Sequence, residues 1–232
     1  MRLIRSLPLL LLMLGLSPGL LAQGSQLNLT SLNWPPYSAE SLPGQGSITS
    51  RIRQALANYD LDLAVRFLPW NRAIKQATED PYYLGYYPEY LSPNSDCLYS
   101  KALGTSPLGL AYHSDLALHW ETLEDLSPYR IGVVSGYHHT QAFDQQVAAG
   151  LLQVEEGAND QINLLKLLYR RVDLVVVDRE VMRHWQNQLP SLRRARDQLQ
   201  FHPRLLGELS LHVCFNNTQT GRAARDKLDR QL

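Results

Sequence analysis

The sequence predicts an α/β fold with mainly parallel sheets, and three observations carry that expectation. Strand-like and helix-like stretches alternate along almost the whole chain. The stretch Val172 to Val177 is dominated by β-branched apolar residues, the mark of a strand buried on both faces of a parallel sheet. The chain has 232 residues, 44% of them hydrophobic, enough for a packed core and for one to two domains.

The elements follow in order. Leu27, Leu29 and Leu32 suggest a first strand, ended by Trp34-Pro35-Pro36-Tyr37 because proline fixes φ and removes a donor. Ser47 or Thr49 can cap a helix whose apolar stripe is Ile48, Ile52, Leu56 and Tyr59. A second strand spans 63–68, and Pro69-Trp70-Asn71-Arg72 opens a short helix to about Thr78. Tyr82 to Tyr87 reads as a Tyr-rich third strand, followed by irregular chain from Glu89 to Pro107. Leu108 to Tyr112 is a strand, and so is Tyr129 to Val134, which runs into Ser135-Gly136-Tyr137-His138-His139. Thr140 to Ala149 is helical, Leu151 to Val154 a short strand. Asn159 and Asp160 cap a helix with Ile162, Leu165, Leu168 and Tyr169 on one side. Asp178 ends the Val-rich strand, and a helix follows to about Gln188. Leu209, Leu211, Val213 and Phe215 alternate with polar or small residues in a final half-buried strand, and Gly221 to Leu232 makes a last helix.

Charge excludes some functions. The 22 Lys+Arg balance 22 Asp+Glu, so there is no basic footprint for nucleic acid. Residues 1–22 have the layout of a secretory signal peptide: two arginines, the apolar run Leu7 to Leu16, a Ser17-Pro18-Gly19 break, and Ala22 before a cut. The run is too short to span a bilayer, and nothing later is apolar enough. A periplasmic, slightly acidic product would therefore follow; we expect no membrane span and a monomer. Cys97 and Cys214 are the two cysteines. In an exported chain they are compatible with one disulfide, with two buried thiols as the alternative. No CxxC, HExxH, phosphate loop or nucleophile elbow is present, so neither cofactor, metal nor catalysis is expected.

The order of four motifs resembles the extracytoplasmic solute-binding proteins of family 3, the amino-acid-type receptors of ABC importers. These are Trp34-Pro35-Pro36-Tyr37, Phe67-Leu68-Pro69-Trp70-Asn71-Arg72-Ala73, Arg130 to Tyr137, and Asn163 to Leu168 leading to Arg171-Val172-Asp173-Leu174-Val175-Val176-Val177-Asp178. The resemblance implies a two-lobed periplasmic-binding-protein-like fold (type II) with two crossover strands and a small ligand in the cleft. Strand order divides the chain into a first lobe, 23–109 plus 210–232, and a second, 110–209. The resemblance also implies roles. Trp34 and Tyr37 wall the cleft and Trp70 packs on the ligand. Tyr86 and Tyr87 offer polar contacts, Gly136, Tyr137 and His138 form an anion loop at a helix N-terminus, and Asp178 receives an ammonium group. The family's carboxylate-gripping Arg is missing, since 89–100 holds no Arg or Lys; either Arg72 or Arg51 supplies the cation, or the ligand is not a standard α-amino acid.

Each assignment has a plainer reading. Asp178 can be a helix N-cap, Trp34 and Trp70 can be core, and Arg72 can be surface. The function expected is capture of a small polar or amino-acid-like solute for a permease. The alternatives are a sensing module on the same fold, or a dehydratase or lyase using His138, His139, Glu89 and Asp178.

Overall fold

The computed structural model describes residues 25–59, 61–92 and 95–232; the expected leader lies outside the described residues. The chain runs β1 (Ser25–Ser31), α1 (Ser47–Leu56), β2 (Leu61–Phe67), α2 (Trp70–Glu79), β3 (Gly85–Tyr90), β4 (Leu98–Tyr99) and β5 (Gly104–His113). It continues through β6 (Arg130–Val134), α3 (Gln141–Ala148), β7 (Gln153–Gly157), α4 (Asp160–Leu168) and β8 (Leu174–Asp178). Last come α5 (Arg179–Gln188), α6 (Pro190–Arg194), β9 (Leu199–Phe215) and α7 (Gln219–Asp229).

The strands form a sheet in the order β2-β1-β3-β9-β5-β8-β6-β7, with β4 on β9. β1 runs parallel to β2 and β3, and β6 runs parallel to β7 and β8. Among the described residues every antiparallel pairing between strands involves β5 or β9. Two parallel halves are thus joined by two antiparallel crossover strands, the two-lobed α/β architecture that the resemblance implied.

β8 shows why the Val-rich run is apolar throughout. All of Leu174 to Asp178 is buried. Leu174 and Val176 face one apolar cluster with Leu108, Leu110, Ile131, Val133 and Phe143. Val175 and Val177 face the other, with Ala111, Leu164, Leu167 and Val181. Because side chains alternate along a strand, each face of β8 belongs to a different core.

Several elements differ from the sequence reading. The stretch 89–107, read as irregular, holds the end of β3, β4 and the start of β5, because all three pair with β9. β3 is shifted three residues onward, because Tyr82 and Tyr83 are used in a turn closed by Asp80: its carboxylate accepts from Tyr82 N (3.0 Å) and its carbonyl from Tyr83 N (3.0 Å). Pro88 sits inside β3, at a register shift between Tyr86 and Glu89 and after a cis peptide bond. β9 starts ten residues before the expected Leu209, and its register jumps from Leu205 to Phe201 opposite β5. Pro203, which has no N–H to give, falls in that bulge. β7 begins at Gln153, because Gly150 (φ 71°) and Leu151 close α3: their N–H groups reach Val147 O (2.9 Å) and Gln146 O (3.0 Å). α4 is rotated from the expected face. It buries Asp160, Asn163, Leu164 and Leu167, while Ile162 and Tyr169 are exposed.

The expected cap of α1 also differs. Thr49 turns inward, donating to Gln45 O (2.9 Å) and bonding Tyr87 Oη (2.9 Å). Cys97, just before β4, is disulfide-bonded to Cys214 in β9, with Cα atoms 5.1 Å apart.

Candidate functional site

Trp34 follows β1, Trp70 opens α2 directly after β2, and Glu89 and Tyr90 close β3. Tyr137 and His138 follow β6. Each lies at or past the carboxyl end of a parallel strand, the place where open α/β sheets hold ligands. With Leu32 and Pro88 these residues line a cavity of about 30 Å³. That is room for about two waters, so any solute must part the rings to enter. A second cavity, of about 540 Å³, is lined by Tyr86, Ser95, Tyr99, His139 and Asp144 among others. Glu89 and His138 line both.

The walls are aromatic. Trp34 lies over Tyr37 at 4.6 Å between ring centroids and meets Tyr90 edge-on at 6.3 Å. Trp70 meets Tyr86 edge-on at 5.5 Å and, from the other half of the sheet, Tyr137 at 6.3 Å. Tyr86 and Tyr87 are neighbours on a strand and so point to opposite faces. Tyr86 faces the larger cavity. Tyr87 is fully buried in the core, held there by Thr49. It therefore does not line the cleft, contrary to the expectation from sequence.

Asp178 is 1% exposed and caps α5. Its Oδ1 accepts from Glu180 N (2.6 Å) and Val181 N (3.0 Å). Its Oδ2 accepts from Ser106 Oγ (2.6 Å) and Tyr37 Oη (2.9 Å), and Ser106 in turn bonds Tyr90 Oη (2.8 Å). Four donors fill the roughly four acceptor sites of a carboxylate. Burial pushes its carboxyl above the usual range, with these hydrogen bonds pulling the other way. The cap reading and a place beside the cleft are both realised, but the oxygens are spent internally. Asp178→Ala should cost about 2–3 kcal/mol, from the lost cap and two stranded hydroxyls, measured by urea denaturation. An unchanged midpoint would show that the network contributes nothing.

Two further buried carboxylates flank the aromatic walls: Glu89 lines both cavities, and Asp160 lies behind Tyr137, lining a third cavity of about 820 Å³ with Asn33, Pro35 and Trp185. Glu89 is 6% exposed. Its Oε1 accepts from Tyr90 N at 2.8 Å, and burial pushes its carboxyl up to about 7. Asp160, at the start of α4, is 4% exposed. Its Oδ2 accepts from Tyr137 Oη at 3.4 Å, and burial raises it to about 7 also. Asp178 adds to that rise, while its own backbone N–H opposes it.

The loop after β6 is shaped by Gly136, whose φ of 79° suits glycine. A Cβ there would collide with the Asn71 side chain from the opposite half of the sheet. Gly136→Ala should therefore lower the melting temperature, and Asn71→Ala in the same chain should restore part of the loss. No recovery would assign the whole effect to the backbone.

The expected anion loop is already occupied. α3 begins at Gln141, where Thr140 Oγ1 accepts from Phe143 N (3.3 Å). Asp144 accepts from His139 N (3.0 Å) and meets His139 Nδ1 (2.9 Å). Burial works against that carboxylate, yet the His139 contacts hold it below its usual range. Arg72 is exposed and lines neither cavity, and Arg51 donates to Leu103 O (3.2 Å). Neither replaces the missing arginine in this structure.

The sequence pointed to Trp34, Trp70, Tyr137 and His138. It offered Glu89 only as an acid–base candidate and Asp160 only as a cap. It did not suggest Tyr90 or Ser106. The sequence put the apolar side of α4 at Ile162, Leu165, Leu168 and Tyr169, so nothing local marked Asp160 as buried.

Solved structures share this architecture. Holo ArgBP from T. maritima matches with a TM-score of 0.70 and 13% identity, over 89% of this chain and 88% of that one. The GluR0 ligand-binding core from Nostoc punctiforme in complex with L-glutamate matches at 0.66 and 14%, over 87% and 91%. The ancestral amino-acid-binding protein AncCDT-1, a precursor of cyclohexadienyl dehydratase, matches at 0.66 and 14%, over 89% and 87%. No protein-family model matches the chain, and no curated protein sequence does. The likeness is one of fold: this chain has the two-lobed α/β architecture of amino-acid-binding proteins.

Proposed function

We propose that the protein captures a small polar or amino-acid-like solute between its lobes in the periplasm and passes it to an ABC importer. The observation that carries this reading is the small aromatic cavity whose walls come from both halves of the sheet. Binding would separate Trp70 from Tyr137 and then close the lobes by bending at the crossover strands β5 and β9. Specificity would come from a few oriented polar groups among apolar walls. The leader expected over residues 1–22, and the ligand-bound proteins that share the fold, support the same reading.

Isothermal titration against amino acids, amines, organic acids and small sugars tests it. One-to-one saturable binding, with contraction in small-angle scattering, is the expected result. No heat from any of these classes would sink the proposal. Turnover of a bound solute would replace it with the lyase reading.

A further inference from the structure

The binding-protein reading leaves the ligand class open, and the charges around the cleft narrow it. Resting on that reading, we propose that the solute is a small organic cation lacking a carboxylate, such as an aliphatic diamine, held by Glu89 among the rings of Trp34, Trp70 and Tyr137, with the Asp160 carboxylate behind Tyr137 adding its negative field.

The first observation is uncompensated charge. Glu89, Asp160 and Asp178 are all more than nine-tenths buried. Among the described residues none of them takes part in an ion pair. A buried carboxylate without a partner is costly in its charged form, and a bound cation removes that cost. The shift of Glu89 and Asp160 towards protonation reflects the same burial cost.

The second observation points to a ligand directly. Glu89 Oε1 accepts one backbone N–H, and among the described residues Oε2 has no hydrogen-bond partner. The side chain lines both the small cavity and the larger one beside it. An acceptor so placed sits where a ligand N–H would arrive, and the neighbouring aromatic faces attract the same positive charge.

The third observation excludes the other half of an amino acid. The N-termini of α3, α4 and α5 are the sites that would take a ligand carboxylate. Each already holds an internal acceptor: Thr140 and Asp144 at α3, Asn159 at α4 and Asp178 at α5. No Lys or Arg lines either cavity. A carboxylate entering either cavity would meet the Glu89 carboxylate, in the larger one Asp144 as well, and no Lys or Arg.

Matched pairs differing only by the α-carboxylate make the test: putrescine against ornithine, cadaverine against lysine, and agmatine against arginine, titrated calorimetrically into the exported chain. The amine of each pair is expected to bind at least tenfold more tightly. Glu89→Gln should weaken amine binding at least tenfold while keeping the Tyr90 N–H bond. Asp160→Asn is the second variant, with melting curves to establish folding. Equal or tighter binding of the amino acids overturns the proposal and leaves solute capture standing. Unchanged amine affinity in both folded variants also overturns it. Binding of neutral or anionic solutes alone does the same, and no binding from any class removes the capture reading with it.

Discussion

Raising the pH from about 5 to about 8 should lower the stability of the unliganded protein by about 5 kcal/mol through Glu89 and Asp160 together. Burial raises Glu89 from 4.5 to about 7 and Asp160 from 3.8 to about 7. Between those values the folded chain keeps protons that the unfolded chain has already released. Stability therefore falls as pH rises through the window, and the loss is complete above the folded-state values. His184, whose ring burial pushes below its usual range, works in the opposite direction. The double variant Glu89→Gln, Asp160→Asn isolates the carboxylates. Its urea midpoint should lose most of the decline shown by the parent across the same range. Parallel curves for parent and variant would mean that these two groups are ionised in the folded state at neutral pH.

Replacing Cys97 and Cys214 by serine should cost about 4–5 kcal/mol, because the bridge closes a long loop in the unfolded chain. The bonded residues are 117 positions apart. The same bond ties the segment before β4 to β9, close to the cavity that Tyr86 and Tyr99 help to line. Loss of the bridge should therefore appear first as faster proteolysis after Leu91, which is exposed. Denaturation curves with and without reductant measure the stability term. Coincident curves would show that the bridge adds nothing.

Much of the fold is legible wherever one local signal decides an element. The Val-rich run becomes β8 because both its faces are buried, and α5 ends at Gln188 as the pattern suggests. Partners distant in sequence decide the rest. β9 extends back to Leu199 because β5 offers it a complete edge, and no local pattern across Pro203 announces that pairing. The Tyr82-Tyr83 pair looks like strand until Asp80 is seen to close a turn. α4 is misoriented for the same reason: Asp160 and Asn163 are polar, and only the tertiary fold shows that they face inward. In the site, bulky aromatics after strands are visible as cleft candidates. The burial that sets the behaviour of Glu89 and Asp160 comes from elements far away in the chain, so it is not visible locally.

The placement of the tryptophans has a practical consequence. Trp34 leans on Tyr37 and Trp70 stands between Tyr86 and Tyr137, whereas Trp120 lies beside His202 and Trp185 beside His184. Trp34, Trp70 and Trp185 thus sit where the two halves meet, Trp185 lining a cavity with Asn33, Pro35 and Asp160, while Trp120 is buried in the separate core around Leu126 and Phe143. The molecule carries its own optical gauge: if the lobes part as proposed, emission from those three indoles should respond, while Trp120 serves as an internal reference within the same spectrum.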